Sequence, residues 1–219
     1  MTIFRGGLRG RQVVVRRSAR RATAVDWELH LLSHLTEAGI RVPRIVPADD
    51  GRRHVEGWHL YDFVEGRPAT EREMPAVERA AAAVHIATRG WHQRPDFRSA
   101  RELLFDDRGG DIDLSSMPPD LVVLLRSAWS DVSPEASGVV HGDLGTGNAV
   151  IGDGGEATLI DWDESRVDDP GFDVGSSPAW LLARLAWEVA TCWHVEPAYA
   201  SRVAEQFRRA AIQRARNTR

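Results

Sequence analysis

The chain has 219 residues, of which 42% are hydrophobic and 27% charged, and its formal net charge is −4. This balance predicts a soluble globular protein with a sizeable core and argues against a general nucleic-acid or membrane-surface binder. The sequence shows no signal-peptide core and no apolar run of about 18 residues, so we expect a cytoplasmic protein. The single cysteine, Cys192, excludes an internal disulfide framework.

All 28 basic residues are arginine, and lysine is absent. A mechanism that ordinarily uses lysine must therefore use arginine or do without it. Arginine differs from lysine because its guanidinium stays charged and offers a planar fork of donors. Biased codon usage is the simpler explanation of the composition itself.

The first part of the chain is predicted to be mainly β. Residues 2–5 (TIFR) and 11–17 (RQVVVRR) are β-prone and flank a turn-like GGLRG segment, which predicts a hairpin. Residues 24–39 have leucines at helical spacing and end in Gly39, a suitable C-cap. Two further strands are expected in IRVPRIV and GWHLYDFV, and EGRP at residues 65–68 breaks the pattern.

After this break the sequence becomes mainly helical. Strands early in the chain and helices later predict an α+β protein, with an N-terminal lobe of residues 1–64 and a C-terminal lobe of residues 65–219. The longer helices are expected over residues 74–91, 119–132, 177–193 and 197–216.

The most informative stretch is VVHGDLGTGNAV at residues 139–150, where a polar loop lies between two β-prone runs. The loop carries His141, Asp143 and Asn148, and a later strand ends in LIDWD, which places Asp161 at its tip. Phosphoryl transfer needs hard oxygen ligands for magnesium and a carboxylate that orients the attacking hydroxyl. Asp, Asn and Gly are also common in ordinary turns, but their order and spacing here favour a functional site.

This pattern resembles the aminoglycoside phosphotransferase and choline kinase family, the small-molecule branch of the protein-kinase-like fold. Kinases carry a His-x-Asp-x-x-x-x-Asn loop followed by a strand-borne Asp. The resemblance implies that Asp143 is the catalytic base, that Asn148 and Asp161 hold Mg²⁺, and that His141 supports the loop. Asp173, in DDPGFDVG, matches a buried family aspartate that ties the catalytic loop down.

The resemblance extends to the first 64 residues. VVVRR is similar to the strand whose lysine pairs with nucleotide phosphates, and Arg16, on the same strand face as Val14, occupies that position. Glu28 matches the glutamate that pairs with this cation, although both could be surface charges. LYDFVEG resembles the hinge between lobes, where the backbone of Asp62 and Val64 binds a purine edge.

The family's first strand and glycine-rich phosphate loop have no counterpart in the printed sequence. GGLRG lies too close to Arg16 to be that loop, and it is instead predicted to be the turn after the family's second strand. The expected fold is therefore kinase-like and two-lobed, with a shortened N-terminal β lobe. Three explanations stay open: the natural start lies upstream, the lid is shortened, or phosphate transfer has been lost.

The resemblance implies transfer of the γ-phosphoryl group of ATP or GTP, with Mg²⁺, to a hydroxyl of a small molecule. The acceptor classes are aminoglycoside-like antibiotics, where the activity confers antibiotic resistance, and amino alcohols or sugars. The alternative is a catalytically impaired nucleotide-binding or scaffold relative. The acceptor, the choice between ATP and GTP, and the oligomeric state are left open. The acidic residues that suggest a cationic acceptor are Asp163, Glu164, Asp168 and Asp169.

Two further patterns have both structural and functional interpretations. His30 and His34 have the spacing of a two-histidine metal site, as in a metal-dependent hydrolase, but solvent-exposed helix positions are the simpler interpretation because no third ligand is evident. Trp180, Trp187 and Trp193 could line a substrate pocket, but their near-helical spacing favours core packing.

Overall fold

The computed structural model describes residues 2–217. Its strands are β1 (Thr2–Leu8), β2 (Arg11–Arg17), β3 (Ile45–Val46), β4 (Trp58–Asp62), β5 (Arg67–Pro68), β6 (Arg108–Gly109), β7 (Ile112–Asp113), β8 (Gly138–Val140), β9 (Ala149–Ile151), β10 (Ala157–Leu159) and β11 (Arg166–Asp168). Its α-helices are α1 (Ala22–Glu37), α2 (Met74–Ala87), α3 (Ala100–Leu103), α4 (Pro119–Ser130), α5 (Gly171–Val174), α6 (Pro178–Val195) and α7 (Pro197–Asn217). The predicted order, β-rich first and helical later, is confirmed.

The chain divides into two compact units. The first contains the residues up to Arg89 together with residues 141–165, and the second contains residues 90–140 and those from Arg166 onward. The polar loop after β8 and the segment through Asp161 therefore belong to the same unit as the N-terminal strands. The lobe boundary expected between residues 64 and 65 falls inside this first unit and stays a prediction.

The N-terminal strands form one antiparallel sheet in the order β1-β2-β4-β3. Its first hairpin differs from the prediction, because Gly6 and Gly7 continue the strand pairing and only Arg9 and Gly10 form the turn. These two residues have φ of 49° and 81°, as the tight turns that match the twist of a hairpin require. The valine run at the centre of β2 pairs on both sides, which makes β2 an interior strand.

Only a short part of IRVPRIV is a strand, since β3 contains two residues. Pro43, just before it, has no N–H to donate to a sheet ladder. Helix α1 follows its apolar periodicity and buries Leu29, Leu32 and Leu35. It ends before Gly39, whose φ of 77° provides the left-handed residue that commonly ends helices.

A second, smaller sheet in the first unit has the order β10-β9-β5, with antiparallel neighbours. β9 begins directly after Asn148, and β10 ends directly before Ile160. The Ile160 N–H donates to the Asn148 carbonyl at 2.9 Å. This hairpin therefore brings the end of the polar loop beside the residue that precedes Asp161.

The second unit is built around a helical core. Trp129 on α4 and Phe207 on α7 are fully buried, and Trp187 on α6 is 6% exposed. Trp180 and Trp193 pack against the same cluster, so the expected packing role of these tryptophans is confirmed. In the part of the chain that the structure describes, no helix is both long and apolar enough to cross a bilayer.

Candidate active site

The polar loop after β8 is folded around its own hydrogen bonds. Gly142 has a φ of 87°, a left-handed conformation that side chains other than glycine rarely adopt. The Asn148 amide Nδ2 donates to the Asp143 carboxylate oxygen Oδ2 at 2.6 Å and to the Asp143 carbonyl at 2.9 Å. These contacts orient the exposed Asp143 carboxylate. Because the side-chain amide nitrogen of Asn148 faces Asp143, its side-chain oxygen Oδ1 points away from that carboxylate.

His141 connects this loop to the segment before Asp161. Its Nε2–H donates to the Ile160 carbonyl at 2.8 Å, and its ring lies 4.8 Å from the Trp162 ring. Trp162 is 1% exposed, and its indole N–H donates to the Leu159 carbonyl at 3.1 Å. His141 is 1% exposed and lies against buried neighbours, an arrangement that suits a structural role better than a catalytic one.

Asp161 has a φ of 60°, an uncommon conformation for a residue with a side chain. This conformation turns the chain sharply after β10. Its carboxylate oxygen Oδ1 lies 3.0 Å from the Nη2 nitrogen of Arg16. The residue expected at the strand tip therefore meets the cation expected on β2.

Arg16 is a buried cation held by several carboxylates. Its side chain is 5% exposed, and its guanidinium lies 3.7 Å from Glu28 and 3.0 Å from each of Asp161 and Asp163. Burial lowers the pKa of Arg16, but the charges of Glu28, Asp163 and Asp161 raise it by more, so the net shift is upward. The guanidinium is therefore charged at any pH at which the protein is folded.

Glu28 is held from two sides. It is 2% exposed on α1, and Tyr61 on β4 donates its hydroxyl hydrogen to the Glu28 carboxylate at 3.0 Å. Arg16 faces Glu28 from β2. Glu28 and Arg16 are thus a buried pair rather than the surface charges that the sequence alone left open.

A cavity of about 470 Å³ in the first unit adjoins this cluster. Its walls are largely apolar, and Arg16, Asn148 and Asp161 are among the polar residues that line it. Asp62 and Val64 line it as well. The Asp62 N–H already donates to the Arg44 carbonyl at 2.8 Å, so that N–H is not available to a ligand at this wall.

The donor set of this site fits a magnesium ion. Asn148 and Asp161 provide an amide oxygen and a carboxylate at one cavity, and Mg²⁺ is ordinarily held by one or two carboxylates with water and substrate phosphates supplying the rest. Over residues 2–217, no group of three or more His, Cys, Asp or Glu side chains forms a protein-only metal cage.

The structure separates the predicted site residues into two sets. The residues in or beside the cluster and its cavity all belong to the first unit: Arg16, Glu28, Asp62, Val64, His141, Asp143, Asn148 and Asp161. Asp173 lies in α5 of the second unit and is 3% exposed. Its role as support for the loop stays a prediction.

The acidic residues after the site already have partners within the protein, so they do not form a set of free carboxylates for a cationic acceptor. Asp163 pairs with Arg16, and Glu164 pairs with Arg20. Asp168 is fully buried against Arg166, and Asp169 accepts hydrogen bonds from the N–H groups of Glu135 and Gly171. The sequence pattern missed the pairings of Asp163 and Glu164 because no local signal identifies arginines that lie far away in the chain.

The two-histidine pattern is also resolved. His34 is half-buried, and its Nε2–H donates to the Ala87 carbonyl at 3.1 Å, whereas His30 is exposed. The expectation of two solvent-exposed histidines is therefore correct for His30 and wrong for His34, which joins α1 to the end of α2.

Comparison with known proteins places the chain in a family. A family model described as the phosphotransferase enzyme family matches residues 2–216. No curated protein sequence matches significantly.

Three solved structures illustrate the structural similarity. Choline kinase LicA from Streptococcus pneumoniae has a TM-score of 0.68 at 12% identity, over 96% of this chain and 90% of that one. A thermostable mutant of the aminoglycoside phosphotransferase APH(4)-Ia has a TM-score of 0.68 at 17% identity, over 97% and 91% of the two chains.

The third, the amicoumacin kinase hAmiN, was solved with AMP-PNP, Ca²⁺ and amicoumacin, and has a TM-score of 0.55 at 15% identity, over 93% of this chain and 66% of that one. At these identities the likeness shows the kinase-like fold alone. Because the family model spans nearly the whole sequence, this chain belongs to the phosphotransferase enzyme family.

Proposed function

We propose that this protein transfers the γ-phosphoryl group of ATP or GTP to a hydroxyl group of a small molecule. The observation that best supports this is the contact between Asn148 and Asp143 at 2.6 Å. It lies in the same compact unit as Asp161, Arg16 and the cavity that those two residues line. One unit therefore carries a candidate base, two oxygen ligands and a cation.

Asp143 is the proposed catalytic base. Its Oδ2 accepts from Asn148, which leaves Oδ1 to accept the proton of the acceptor hydroxyl. The hydroxyl oxygen forms a bond to the γ-phosphorus, and the bond from that phosphorus to the β–γ bridging oxygen breaks. The proton remains on Asp143 until solvent removes it.

Asn148 and Asp161 are the proposed magnesium ligands. A bound magnesium ion supplies neutralisation of the charge that develops on the phosphate oxygens. His141 holds the loop and the Asp161 segment in register through its bond to the Ile160 carbonyl. Asp173 is proposed as a structural support from the second unit.

Arg16 is proposed to pair with the nucleotide phosphates in place of the usual lysine, with Glu28 fixing its direction. A guanidinium can bind a phosphate through two parallel hydrogen bonds. The apolar cavity beside it suits a purine, and the Asp62 carbonyl with the Val64 N–H would bind the purine edge.

The acceptor is proposed as a small molecule because the similar solved structures are kinases of this kind. They include a choline kinase, aminoglycoside phosphotransferases and an aminopropanol kinase. The acids after Asp161 do not specify a cationic acceptor, since Asp163 and Glu164 are already paired with arginines.

The test is an assay of nucleoside diphosphate release, with ATP or GTP, magnesium and a panel of amino alcohols, aminoglycosides, macrolides and sugars. The expected result is acceptor-dependent release of ADP or GDP by the wild type and none by Asp143→Asn. Glu37→Gln, at an exposed position at the end of α1, serves as the matched control. Turnover by Asp143→Asn at the wild-type rate would contradict the assignment of the base.

A non-catalytic nucleotide-binding relative is the second candidate. The observation that favours it is the contact between Arg16 Nη2 and Asp161 Oδ1 at 3.0 Å, because this arginine engages a proposed metal ligand directly. A thermal-shift titration with ATP and GTP separates the two. Stabilisation that requires magnesium favours the enzyme, whereas stabilisation that is equal in EDTA and without turnover favours the non-catalytic relative.

A further inference from the structure

A chain of ion pairs leads away from the Nη2 nitrogen of Arg16, whereas Glu28 lies nearest Nη1. Asp163 Oδ1 lies 3.0 Å from Arg16 Nη2. Arg20 reaches the same carboxylate from Nε and from Nη2, each at 3.3 Å, and also contacts Glu164 at 3.1 Å. Arg20 therefore helps to fix the direction of the Asp163 carboxylate.

The Nη2 nitrogen of Arg16 is shared between two acids, since Asp161 and Asp163 each lie 3.0 Å from it. These two acids differ in what else holds them. Asp163 has the two-point contact with Arg20, whereas Asp161 lines the cavity and is the proposed magnesium ligand. A metal bound by Asp161 would compete with Arg16 for this carboxylate, whereas Asp163 is held by Arg20 as well.

Arg16 also has unused donor capacity at the cavity. Its side chain is 5% exposed, and among residues 2–217 neither its Nε nor its Nη2 has a hydrogen-bond partner. The contacts of Nη2 with Asp161 and Asp163 are ion pairs. A buried charged donor without a partner is costly unless a ligand completes it. Because Arg16 lines the cavity, an anionic ligand there can supply the missing acceptor.

We propose that Arg20 and Asp163 form a positioning pair that holds Arg16 toward the nucleotide phosphates. This inference rests on the proposed function. Arginine needs such support more than lysine does, because its planar fork binds a phosphate only in a restricted orientation. Glu28 contacts Nη1 and Asp163 contacts Nη2, so the two acids together restrict the orientation of the guanidinium.

The experiment measures the affinity for ADP and GDP, and for adenosine and guanosine, by calorimetry in EDTA and again with magnesium. The proteins are the wild type, Asp163→Asn, Arg20→Gln and the double variant. Asp49→Asn is the matched control, because Asp49 pairs with Arg9 on the surface and its side chain is 84% exposed. Arg20→Lys, which keeps the charge and loses the two-point contact, is included as a milder change.

Each single variant is expected to bind the nucleoside diphosphate about tenfold more weakly in EDTA, the loss from weakening one charge-assisted hydrogen bond. Nucleoside affinity is expected to stay at the wild-type value, because a nucleoside has no phosphate that could bind Arg16. The double variant is expected to bind the nucleoside diphosphate no more weakly than either single variant, since both residues act through the contact between Asp163 and Arg16. Arg20→Lys is expected to fall between the wild type and Arg20→Gln.

Three results would overturn the inference while leaving the proposed function intact. The first is diphosphate binding by Asp163→Asn that equals the wild type. The second is an equal loss of nucleoside affinity, which indicates a general structural role. The third is a loss seen only with magnesium, which makes Asp163 a metal ligand. A wild type that binds neither nucleotide under any condition overturns the proposed function and the inference together.

Discussion

Replacing Glu28 with glutamine is expected to lower the free energy of unfolding by about 2 kcal/mol. The change keeps the shape of a side chain that is 2% exposed but removes its charge. The Arg16 and Glu28 atoms are 3.7 Å apart, which at an effective dielectric constant of about 20 corresponds to about 4.5 kcal/mol of attraction. The net loss is smaller because Asp161 and Asp163 still neutralise Arg16 and because the amide oxygen still accepts from Tyr61.

Urea unfolding followed by tryptophan fluorescence measures this loss. Glu37→Gln, at an exposed position on the same helix, is the control and is expected to change stability by less than about 0.5 kcal/mol. Tyr61→Phe is expected to cost about 1 kcal/mol alone. It should cost less in the Glu28→Gln background, because a hydrogen bond from Tyr61 to a neutral amide oxygen is weaker than one to a carboxylate.

The reasoning is refuted if Glu28→Gln unfolds at the same urea concentration as the wild type. It is also refuted if the effects of Glu28→Gln and Tyr61→Phe simply add. Either result would mean that the buried pair contributes little and that Arg16 is held by the other two acids alone.

Three further predictions concern the loops and the hinge. Asp143→Asn is expected to reduce turnover at least a hundredfold, while calorimetry shows nucleotide affinity within about threefold of wild type. Asp161→Asn is expected to remove the magnesium dependence of nucleotide binding, and an unchanged dependence in a magnesium titration would place the metal elsewhere. Gly66→Ala is expected to destabilise by at least about 2 kcal/mol, because Gly66 has a φ of 137° and a Cβ there would lie 2.4 Å from the Ile151 carbonyl oxygen. Thermal unfolding checks this, with Gly7→Ala as the control, where the nearest atom would be 4.0 Å away.

The local patterns of the sequence were sufficient for the longer elements and for locating the polar loop after β8. A run of β-branched residues predicts β2, and apolar spacing predicts α1. Asp143 and Asn148 are five residues apart and lie in the same loop. Interactions of this kind depend on neighbours along the backbone, so the sequence contains them directly. The resemblance to a family then supplied Arg16 and Glu28 as partners.

The contacts that join distant segments were decided by the tertiary structure. Arg20 and Asp163 are 143 residues apart in the chain, and no periodicity links them. The same holds for the Tyr61 hydroxyl on Glu28 and for the membership of residues 141–165 in the N-terminal unit. Such pairs form because packing brings two elements together and leaves a buried charge that must be matched, and that matching depends on three-dimensional neighbours that a linear pattern does not record.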